Sequence, residues 1–465
     1  MTLSLYNSLS RKEEPLPDQP KLRMFVCGPT VYDYLHIGNA RTYIFFDFFA
    51  KFLRARGYDV NYLQNITDVD DKIIAKALTE NKTTDAVAQR FTQAYFEDMK
   101  ALGVDAVTTY APATQFIPQI VAQVERLIDK GFAYKIDGDG WYFDIAKDAE
   151  YGKLSGRTAA QAEDGVTRID ESVAKRNKGD FCLWKFTQTS LSHLEPRWPS
   201  AIGEGRPGWH IEDTAISEFY FGPQYEIHGG GVDLKFPHHE AEIAQQESAS
   251  GLTPFVKIWM HGGSLTVDGK KMSKSVGNIV TIRDFLQAHG PHAPALLRWM
   301  VLNHHYRSPF DVSDRVIAQA KKELETIYTL SLRARDGRER NPGSANDNTQ
   351  SLSWKAKFDE ALNDDLNTPK ALSVLLEALK SEALSDRGKY ALIGVLDDIV
   401  CLGITQVAGQ SPEIPVEIME KFDRYREARS NKQFIQSDAL RKEIEGLGYE
   451  VRDVEEGSVL VRKFF

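Results

Sequence analysis

Apolar residues near the start of the chain recur first at strand spacing and then at helix spacing. The apolar run Lys21–Cys27 (KLRMFVC) ends at a Gly-Pro pair, which is typical of a short buried strand followed by a loop. A spacing of three and four residues then predicts a helix, carried by Ile44, Phe45, Phe48, Phe49, Phe52 and Leu53. Val60–Ile66 (VNYLQNI) predicts the next strand. A strand–helix–strand unit favours an α/β fold with a doubly wound parallel sheet.

The middle of the chain predicts more of this sheet, interrupted by an insertion. Residues from about 80 to 130 have helical patterning, and residues 141–184 are rich in short strands and loops, as expected of an inserted subdomain. The sheet resumes near Trp209, with further strands predicted at Tyr225–His228 and Phe255–Met260. Leu265–Val267, followed by Asp-Gly, predicts a tight hairpin that leads into a basic stretch.

The pattern changes beyond residue 312. Residues 313–332 predict a charged amphipathic helix, and residues 336–350 (DGRERNPGSANDNTQ) are rich in turn formers, which predicts a linker. Further helices reach about Gly403, a second linker spans 407–415, and a hairpin is predicted over 451–463. We therefore predict a sheet domain over 1–311 with an insertion at about 120–205, a helical domain over 312–406 and a small α+β tail over 415–465.

Composition and charge narrow the class of protein. The 465 residues carry 57 Lys and Arg against 66 Asp and Glu, a net charge of −9, which argues against a general polyanion binder but allows a local basic face. Three cysteines in so long a chain do not make a disulfide framework. No signal-like segment and no apolar run of membrane-spanning length occurs. We therefore expect a cytoplasmic protein with no membrane partner.

Two short motifs carry candidate phosphate chemistry. His36-Ile37-Gly38-Asn39 lies before the first helix, where a glycine lets a phosphate approach backbone amides and a histidine donates to developing negative charge. Lys271–Ser275 (KMSKS) places lysines on the hairpin loop, where they neutralise a leaving pyrophosphate. Taken alone, the first motif is compatible with a polar helix cap and the second with a solvated turn. Their order places both at the carboxyl edge of one sheet, where open α/β folds bind ligands.

Four further segments surround these motifs in a fixed order: Cys27–Asp33 (CGPTVYD), Asn65–Lys72 (NITDVDDK), Gly205–Glu212 (GRPGWHIE) and Pro237–Glu242 (PHHEAE). With the two motifs, they make the chain resemble cysteinyl-tRNA synthetases, a class I aminoacyl-tRNA synthetase family, from about residue 3 to the C-terminus. The resemblance implies a Rossmann-like catalytic domain, a helical tRNA-binding domain and a C-terminal anticodon-binding tail. It also implies that ATP, accompanied by Mg²⁺, activates L-cysteine for transfer to tRNA(Cys), in an enzyme that we expect to be a monomer.

The resemblance assigns roles to individual residues. Catalysis is assigned to His36, Asn39, Lys271 and Lys274. ATP binding is assigned to His36, Gly38, Asn39, Gly229, Gly230, Gly231, Asp233 and Lys274. Contacts to the amino acid are assigned to Gly28, Thr67 and Trp209. Anticodon reading is assigned to Arg429, Asp438 and Asp453, for which surface ion pairs in a charge-dense tail are a competing explanation.

The same family holds a zinc ion between two cysteines, a histidine and a glutamate. Zinc takes the substrate thiolate as a ligand, which separates cysteine from serine better than shape does. Cys27, His238 and Glu242 match three of these positions, but Asp213 stands where the second cysteine is expected. We favour Asp213 as a zinc ligand that preserves the charge of the site. Two alternatives stay open. In one, Cys27, His238 and Glu242 hold zinc and Asp213 only contacts these ligands. In the other, no zinc binds, and Cys27, Asp213 and His238 recognise the substrate thiol as polar groups.

Two other functions are weighed against this one. A cysteine ligase of the mycothiol type resembles the catalytic core but uses an amino-sugar acceptor, and the long helical and tail regions favour tRNA instead. A non-catalytic paralogue that binds RNA or a partner is expected to lose the histidine or lysine motif, and both are intact, although Asp213 keeps this possibility open. Cys182 and Cys401 are predicted to be small buried side chains without a ligand role.

Overall fold

The predicted strand–helix–strand unit is confirmed near the start of the chain. The computed structural model describes residues 2–157, 174–187, 195–272, 277–340, 347–409, 414–454 and 457–464. After a hairpin of β1 (Ser4–Asn7) and β2 (Lys12–Pro15) come β3 (Lys21–Val26), α1 (Ile37–Ala55) and β4 (Asp59–Ile66), with β3 and β4 parallel. The aromatic side chains of α1 are buried in the main core. Burial of one such ring contributes about 1.5–3 kcal/mol, so this face anchors the helix.

The segment predicted to be helical over 80–130 also contains a strand. α2 (Asp71–Glu80), α3 (Thr84–Ala101) and α4 (Ile117–Asp129) are helices, but β5 (Thr109–Pro112) lies between α3 and α4. This strand pairs in parallel with β4 at one edge of the sheet. Sequence patterning missed it because only one of its four residues is fully buried, so it carries no apolar run.

An antiparallel sheet occupies the segment predicted to be an insertion. It pairs β6 (Ala133–Ile136), β7 (Gly140–Phe143), β8 (Phe181–Phe186) and β9 (Gly205–Pro207) in that order. Phe143 stacks on Phe181 with ring centroids 5.0 Å apart, and Trp184 is completely buried beside them. The last strand leads directly to Trp209, so this subdomain positions one wall of the candidate site.

The central sheet is completed by α5 (Ile211–Phe221), β10 (Tyr225–Gly231), α6 (Glu240–Ser250) and β11 (Val256–Gly262). Its five strands are all parallel and lie in the order β11-β10-β3-β4-β5, which confirms the predicted doubly wound sheet. The order of connection reverses between β10 and β3. The loops that follow β10 and β3 lead to opposite faces of the sheet, which leaves a crevice at the carboxyl ends of these two strands.

The predicted lysine hairpin is confirmed. β12 (Leu265–Val267) pairs antiparallel with β13 (Lys270–Lys271), and the turn residues Asp268 and Gly269 have left-handed φ values of 50° and 73°. After α7 (Ile282–His289) and α8 (Ala293–Leu302), β14 (Phe310–Val312) pairs in parallel with β12. This small sheet holds the base of the loop that carries the lysine motif.

The region beyond residue 312 is helical, but the prediction of a linker over 336–350 is wrong at both ends. α9 (Asp314–Arg340) and α10 (Asp347–Asn363) extend into it, and residues 341–346 lie outside the described part of the chain. Arg335, directly before the predicted linker, anchors this end of α9: its Nη1 donates to the Ala408 carbonyl at 2.9 Å. α11 (Thr368–Lys380), α12 (Asp386–Val400) and α13 (Ile404–Ala408) complete this region.

The C-terminal tail has a small core of its own. It contains α14 (Val416–Ser430), α15 (Phe434–Gly446) and the predicted hairpin, confirmed as β15 (Tyr449–Val454) and β16 (Gly457–Arg462). Phe422, Tyr425 and Ile444 lie at its centre. Across the described residues, we find no helix with both the length and the apolar character needed to cross a membrane.

Candidate active site

A cavity of about 760 Å³ lies at the carboxyl ends of β3, β4 and β10. Its walls come from the β3–α1 loop, the loop after β4, the end of β10, the segment before α5 and the lysine hairpin. The crevice predicted by strand order therefore gathers the sequence motifs into one site. One side carries the nucleotide motifs, and the other carries the candidate amino-acid and metal residues.

The histidine motif forms the N-terminal cap of α1. The His36 Nδ1 atom accepts from the Asn39 backbone N–H at 3.2 Å, and Asn39 Oδ1 accepts from the His36 backbone N–H at 3.2 Å. This reciprocal cap leaves the first turn of α1 facing the cavity, with Gly38 in its wall. Burial lowers the pKa of His36, so the ring is neutral at physiological pH and donates through its other nitrogen.

The end of β10 needs its three glycines. A Cβ on Gly229 would lie 2.2 Å from the Phe46 ring, and one on Gly230 would lie 2.8 Å from the His239 ring. A Cβ on Gly231 would lie 2.4 Å from Asp233 Oδ1. Gly231 and Asp233 line the same cavity as Gly38.

The lysine motif lies against the histidine motif. Lys271 and Met272 line the cavity, and a Cβ on Gly38 would lie 2.9 Å from Met272 Cε. The backbone of His36 also forms a bridge with Thr281, which follows the lysine loop in the chain. Lys274, predicted to act with Lys271, lies outside the described residues. The two motifs thus face one cavity from two sides.

The candidate amino-acid residues line the opposite end of the cavity. Gly28 packs so closely on β4 that a Cβ would lie 1.7 Å from the Asn65 carbonyl oxygen. Thr67 follows β4 directly and is buried. Trp209 stacks on the His238 ring with centroids 4.4 Å apart and planes inclined by 26°. Gly28, Thr67 and Trp209 line the cavity together with the candidate metal ligands Cys27, Asp213 and His238.

The four predicted metal ligands converge. Cys27 directly follows β3, Asp213 lies in the first turn of α5, His238 precedes α6, and Glu242 lies in its first turn. One ligand atom from each lies within 4.8 Å of all the others, and all four residues are buried. His238 Nε2 is 3.0 Å from Asp213 Oδ2 and 3.1 Å from Glu242 Oε1. We call these four residues the outer set.

Both oxygens of Asp213 have defined surroundings. Asn65 Nδ2 donates to Asp213 Oδ1 at 2.6 Å, which leaves Oδ2 directed at His238 Nε2. The same amide accepts the Gly28 N–H through Oδ1 at 2.6 Å. On the far side of His238, Nδ1 lies 2.8 Å from His210 Nδ1. Asp213 is therefore oriented to offer one oxygen to the centre of the outer set.

The outer set suits a zinc-type ion. Its donors are a sulfur, an imidazole nitrogen and two carboxylate oxygens, all acceptable to Zn²⁺. Glu242 Oε2 is buried without a hydrogen-bond partner. Burial, followed by the charges of Glu242 and Asp213, raises the pKa of the Cys27 thiol well above its usual value, and burial with Asp213 raises the pKa of Glu242. A divalent cation relieves this crowding of negative charge, so the residues fit the ion.

Sequence reasoning missed part of the site. Cys27 and Glu242 also belong to a second buried group with His228 and His239, whose ligand atoms lie within 4.8 Å of one another. We call Cys27, His228, His239 and Glu242 the inner set. The sequence does hold a signal, because His228 directly precedes the glycines of β10 and His239 directly follows a predicted ligand. No role was predicted for Asn65, although it opens the Asn65–Lys72 segment that carries the resemblance and lies near the end of β4.

The remaining predicted residues lie away from this group. Arg429 ends α14 with its guanidinium 5.5 Å from the Phe434 ring centroid, Asp438 lies on α15, and Asp453 lies on β15. Cys182 is buried as predicted. The prediction that Cys401 is buried is wrong: it is half-exposed at the end of α12, where Lys51 Nζ lies 3.1 Å from its sulfur. Helix patterning does not show this because α12 ends there in a left-handed residue.

Comparison with known proteins agrees with this geometry. Residues 14–322 match the family described as tRNA synthetases class I (C) catalytic domain, and residues 357–381 match the DALR domain. A Mycobacterium tuberculosis methionyl-tRNA synthetase in complex with methionyl-adenylate shares the fold, with a TM-score of 0.61 over 85% of this chain and 95% of that one, at 16% identity. The fold and the paired nucleotide motifs define a class I aminoacyl-tRNA synthetase.

Full-length relatives narrow the class to one family. The chain is 41% identical to the cysteine–tRNA ligase of Caldicellulosiruptor saccharolyticus, over 99% of this chain and 100% of the relative. It is also 41% identical to that of Laribacter hongkongensis (97% and 98% covered) and 39% identical to that of Bacillus pumilus (98% and 99% covered). The chain belongs to the cysteine–tRNA ligase family.

Proposed function

We propose that the protein activates L-cysteine with ATP to cysteinyl-adenylate and transfers the cysteinyl group to the 3′ end of tRNA(Cys). The observation that carries this proposal is the convergence of both nucleotide motifs and the outer set on one cavity, in a chain that matches cysteine–tRNA ligases over nearly its whole length. The working form is expected to be a cytoplasmic monomer, with Mg²⁺ brought to the site by ATP.

Activation needs positioning and charge stabilisation rather than a general base. The substrate carboxylate is already ionised at neutral pH, so it attacks the α-phosphate of ATP in line and pyrophosphate leaves. His36 and Asn39, at the start of α1, serve the phosphates from one side. Lys271, together with Lys274, neutralises the leaving pyrophosphate from the other side. Gly229, Gly230, Gly231 and Asp233 hold the adenosine, with the Asp233 carboxylate accepting from the ribose hydroxyls.

The amino-acid end of the cavity selects the side chain. Gly28 and Thr67 contact the amino and carbonyl groups, and Trp209 limits the size of the side chain that enters. We propose that the outer set holds a zinc ion, which supplies a soft acceptor that favours sulfur over the oxygen of serine. Asp213 serves as a ligand, because Asn65 holds one of its oxygens and leaves the other directed at the centre of the set.

The acceptor is tRNA rather than an amino sugar. A DALR match at 357–381 and the separate C-terminal unit of α14, α15 and β15–β16 extend well beyond the catalytic core. We propose that the helical region contacts tRNA and that Arg429, Asp438 and Asp453 meet anticodon bases, whose edges are accessible in a single-stranded loop. An assay that offers the purified chain tRNA(Cys) or an amino-sugar acceptor separates the two functions, since only tRNA is expected to be charged.

The reaction is tested by substituting the lysines of the hairpin. Lys271→Ala and Lys274→Ala each remove charge from the leaving group, so cysteine-dependent ATP–pyrophosphate exchange should fall by roughly 10²–10³-fold. Lys100→Ala, an exposed lysine at the end of α3, is the matched control and should leave exchange unchanged. Circular dichroism checks that each variant folds. Wild-type exchange in both loop variants would refute the proposed role of the hairpin.

A further inference from the structure

The inner set has the dimensions of a metal site. Cys27 Sγ lies 3.1 Å from His239 Nε2, 3.4 Å from His228 Nε2 and 3.9 Å from Glu242 Oε1. His228 Nε2 lies 3.5 Å from Glu242 Oε2. Ligands about 2.0–2.3 Å from a tetrahedral zinc ion are about 3.3–3.8 Å from one another. The four separations given, 3.1–3.9 Å, lie near this range, and one ligand atom from each of the four residues lies within 4.8 Å of all the others.

In each histidine of the inner set, the ring nitrogen that faces away from Cys27 has a hydrogen-bond partner. His228 Nδ1 lies 2.7 Å from the Tyr225 hydroxyl, and His239 Nδ1 lies 2.8 Å from His261 Nε2. His261 Nδ1 in turn lies 2.8 Å from Ser8 Oγ. A metal-binding histidine typically donates its second N–H to such a partner, which fixes the ring and leaves the other nitrogen free to bind. Both rings present Nε2 to the thiol of Cys27.

The charges of the inner set also balance a divalent cation. A thiolate and a carboxylate supply two negative charges, and two neutral imidazoles supply nitrogen donors. Both rings are completely buried, and each has its Nδ1 beside a neutral partner, Tyr225 or His261, rather than a carboxylate. Glu242 Oε2, on the side of His228, is buried without a hydrogen-bond partner. A divalent ion held by these four residues would leave the inner set itself without net charge.

The two sets compete for shared ligands. Cys27 and Glu242 belong to both, while Asp213 and His238 complete the outer set and His228 and His239 complete the inner set. Of the inner set, only Cys27 lines the cavity. An ion in the inner set would be separated from a bound amino acid. With Asp213 in place, the inner set offers one imidazole more and one carboxylate fewer than the outer set, a softer combination that suits zinc and cobalt.

We propose that Cys27, His228, His239 and Glu242 form a second, buried site for a divalent cation of the Zn²⁺ type, filled in alternation with the outer set. The inner site stores the ion behind the amino-acid pocket, out of contact with substrate. This proposal goes beyond the proposed function, because it concerns metal binding by the chain in the absence of any substrate.

The neighbouring histidines His238 and His239 give a matched pair of variants. His238→Gln removes a ligand of the outer set only, and His239→Gln removes a ligand of the inner set only; both residues are buried. Each metal-free full-length variant is titrated with cobalt(II) alone, and the thiolate-to-cobalt absorption is recorded together with the number of ions bound. Cys27→Ser, which lacks the shared thiolate, is the control without thiolate absorption.

The inner site predicts that each single variant still binds cobalt with thiolate absorption, because one complete set remains in each. The double variant His238→Gln/His239→Gln should lose at least 90% of this absorption. The proposal is overturned if His238→Gln loses the absorption while His239→Gln keeps it, since the outer set alone would then bind. It is also overturned if both single variants lose it, because that result indicates one site that depends on both rings.

A second variant protects the test against misfolding. If circular dichroism shows that His238→Gln is unfolded, Asp213→Asn removes the charge of an outer ligand while keeping its size, and the same retention of thiolate absorption is expected. Its loss in a folded Asp213→Asn protein would overturn the proposal. Cysteine-dependent pyrophosphate exchange is measured separately from cobalt binding. A wild-type chain that shows no such exchange but keeps the thiolate absorption of the inner set would refute the proposed function and leave the inner site standing.

Discussion

At the scale of the residue, Asn65 links three parts of the pocket through one side-chain amide. Its Oδ1 accepts from the Gly28 N–H, and its Nδ2 donates to Asp213 Oδ1 and, at 3.3 Å, to Thr67 Oγ1. An aspartate carries two donor oxygens where a cysteine carries one sulfur, so the second oxygen of Asp213 needs a hydrogen-bond partner of its own. Asn65 does this, which makes it a positioning residue for the outer set.

Replacing Asn65 tests that role. Asn65→Ala frees Asp213 Oδ1, so zinc affinity should fall by about 10–100-fold, as for other residues that orient metal ligands. The measurement is competition with a coloured chelator, which reads affinity rather than activity. Asn61→Ala, on the same strand, is the control and should keep the wild-type affinity. Equal zinc affinities in the two variants would contradict the positioning role.

The buried acids of the outer set predict how zinc binding depends on pH. Burial and neighbouring negative charge raise the pKa of the Cys27 thiol and of Glu242, so both hold protons in the metal-free chain. Zinc must displace these protons, and its affinity should rise by about tenfold per pH unit for each proton released.

Two measurements between pH 6 and 8 check the direction of this pH dependence. Zinc affinity should increase with pH, and the stability of the metal-free chain should decrease. The second trend comes from Glu242: its pKa is raised well above the usual carboxyl value, so the stability that its protonated form contributes is lost as pH rises. The Cys27 thiol adds no slope in this range, because a thiol with a usual pKa of 9.0 is protonated in the unfolded chain as well. Zinc affinity that is flat across this range, with Cys27 present, would show that the thiol and the carboxylate are not protonated in the metal-free chain.

At the scale of the element, the start of α1 and the lysine hairpin are packed against each other. Gly38 separates the His36 ring from Met272, and a Cβ there would lie 2.9 Å from both His36 Nδ1 and Met272 Cε. A methyl group at this position must displace the His36 ring, since the end of the Met272 side chain can turn away but the ring, which caps α1, is held by Asn39. The glycine therefore sets the approach of the two nucleotide motifs.

Gly38→Ala should lower kcat/KM for ATP in pyrophosphate exchange by about 10²-fold, because displacement of about 1 Å from productive geometry has effects of that size. Thermal unfolding should stay close to that of the wild type. Gly394→Ala, at a glycine of α12 with no atom within 4 Å of the added Cβ, is the control. It should keep full activity and gain about 0.5–1 kcal/mol of stability. Full activity in Gly38→Ala would contradict the close packing.

Sequence patterning predicted the elements that carry strong local signals. The aromatic stripe of α1, the Asp268-Gly269 turn and the βαβ order each have such a signal, and each is confirmed. β5 and the end of α9 have none. The strand is an edge strand with little burial, and the helix continues through turn-forming residues because Arg335 bonds to Ala408 in another helix. Contacts between distant elements decide such segments.

In the candidate site too, residues with a local sequence signal were predicted, and residues that depend on contacts between distant elements were not. Segments next to strand ends, such as Cys27, Gly28 and Thr67, were predicted from motifs, and the structure gathers them at one cavity. The inner set was not predicted, because His228 and His239 meet only after β10 and α6 fold against β3. The orientation of Asp213 was not predicted either, since it depends on a hydrogen bond from another strand.

At the scale of the whole molecule, a buried ion pair ties the nucleotide helix to the helical region. Arg298 on α8 lies 2.8 Å from Asp47 on α1, and both side chains are buried. The same guanidinium donates to the Val400 carbonyl at the end of α12 at 3.1 Å. The helix that presents His36 is thus held by the region that we propose contacts tRNA.

The net charge of −9 constrains where tRNA binds. Because the chain as a whole repels a polyanion, attraction must come from local basic surface. We expect this basic surface at the lysine hairpin and at the exposed basic residues of α14 and α15. In the proposed function, ATP and cysteine share the cavity of the sheet domain, and the helical region and the tail are left for tRNA.

The most direct test of the account compares cysteine with serine in ATP–pyrophosphate exchange by the zinc-loaded chain. The outer set predicts that kcat/KM for cysteine exceeds that for serine by at least about 10⁴-fold, since a pocket that reads shape alone reaches only about 10²-fold. Removal of zinc by a chelator should abolish most of this preference. A metal-free chain that still rejects serine to the same degree would contradict the account.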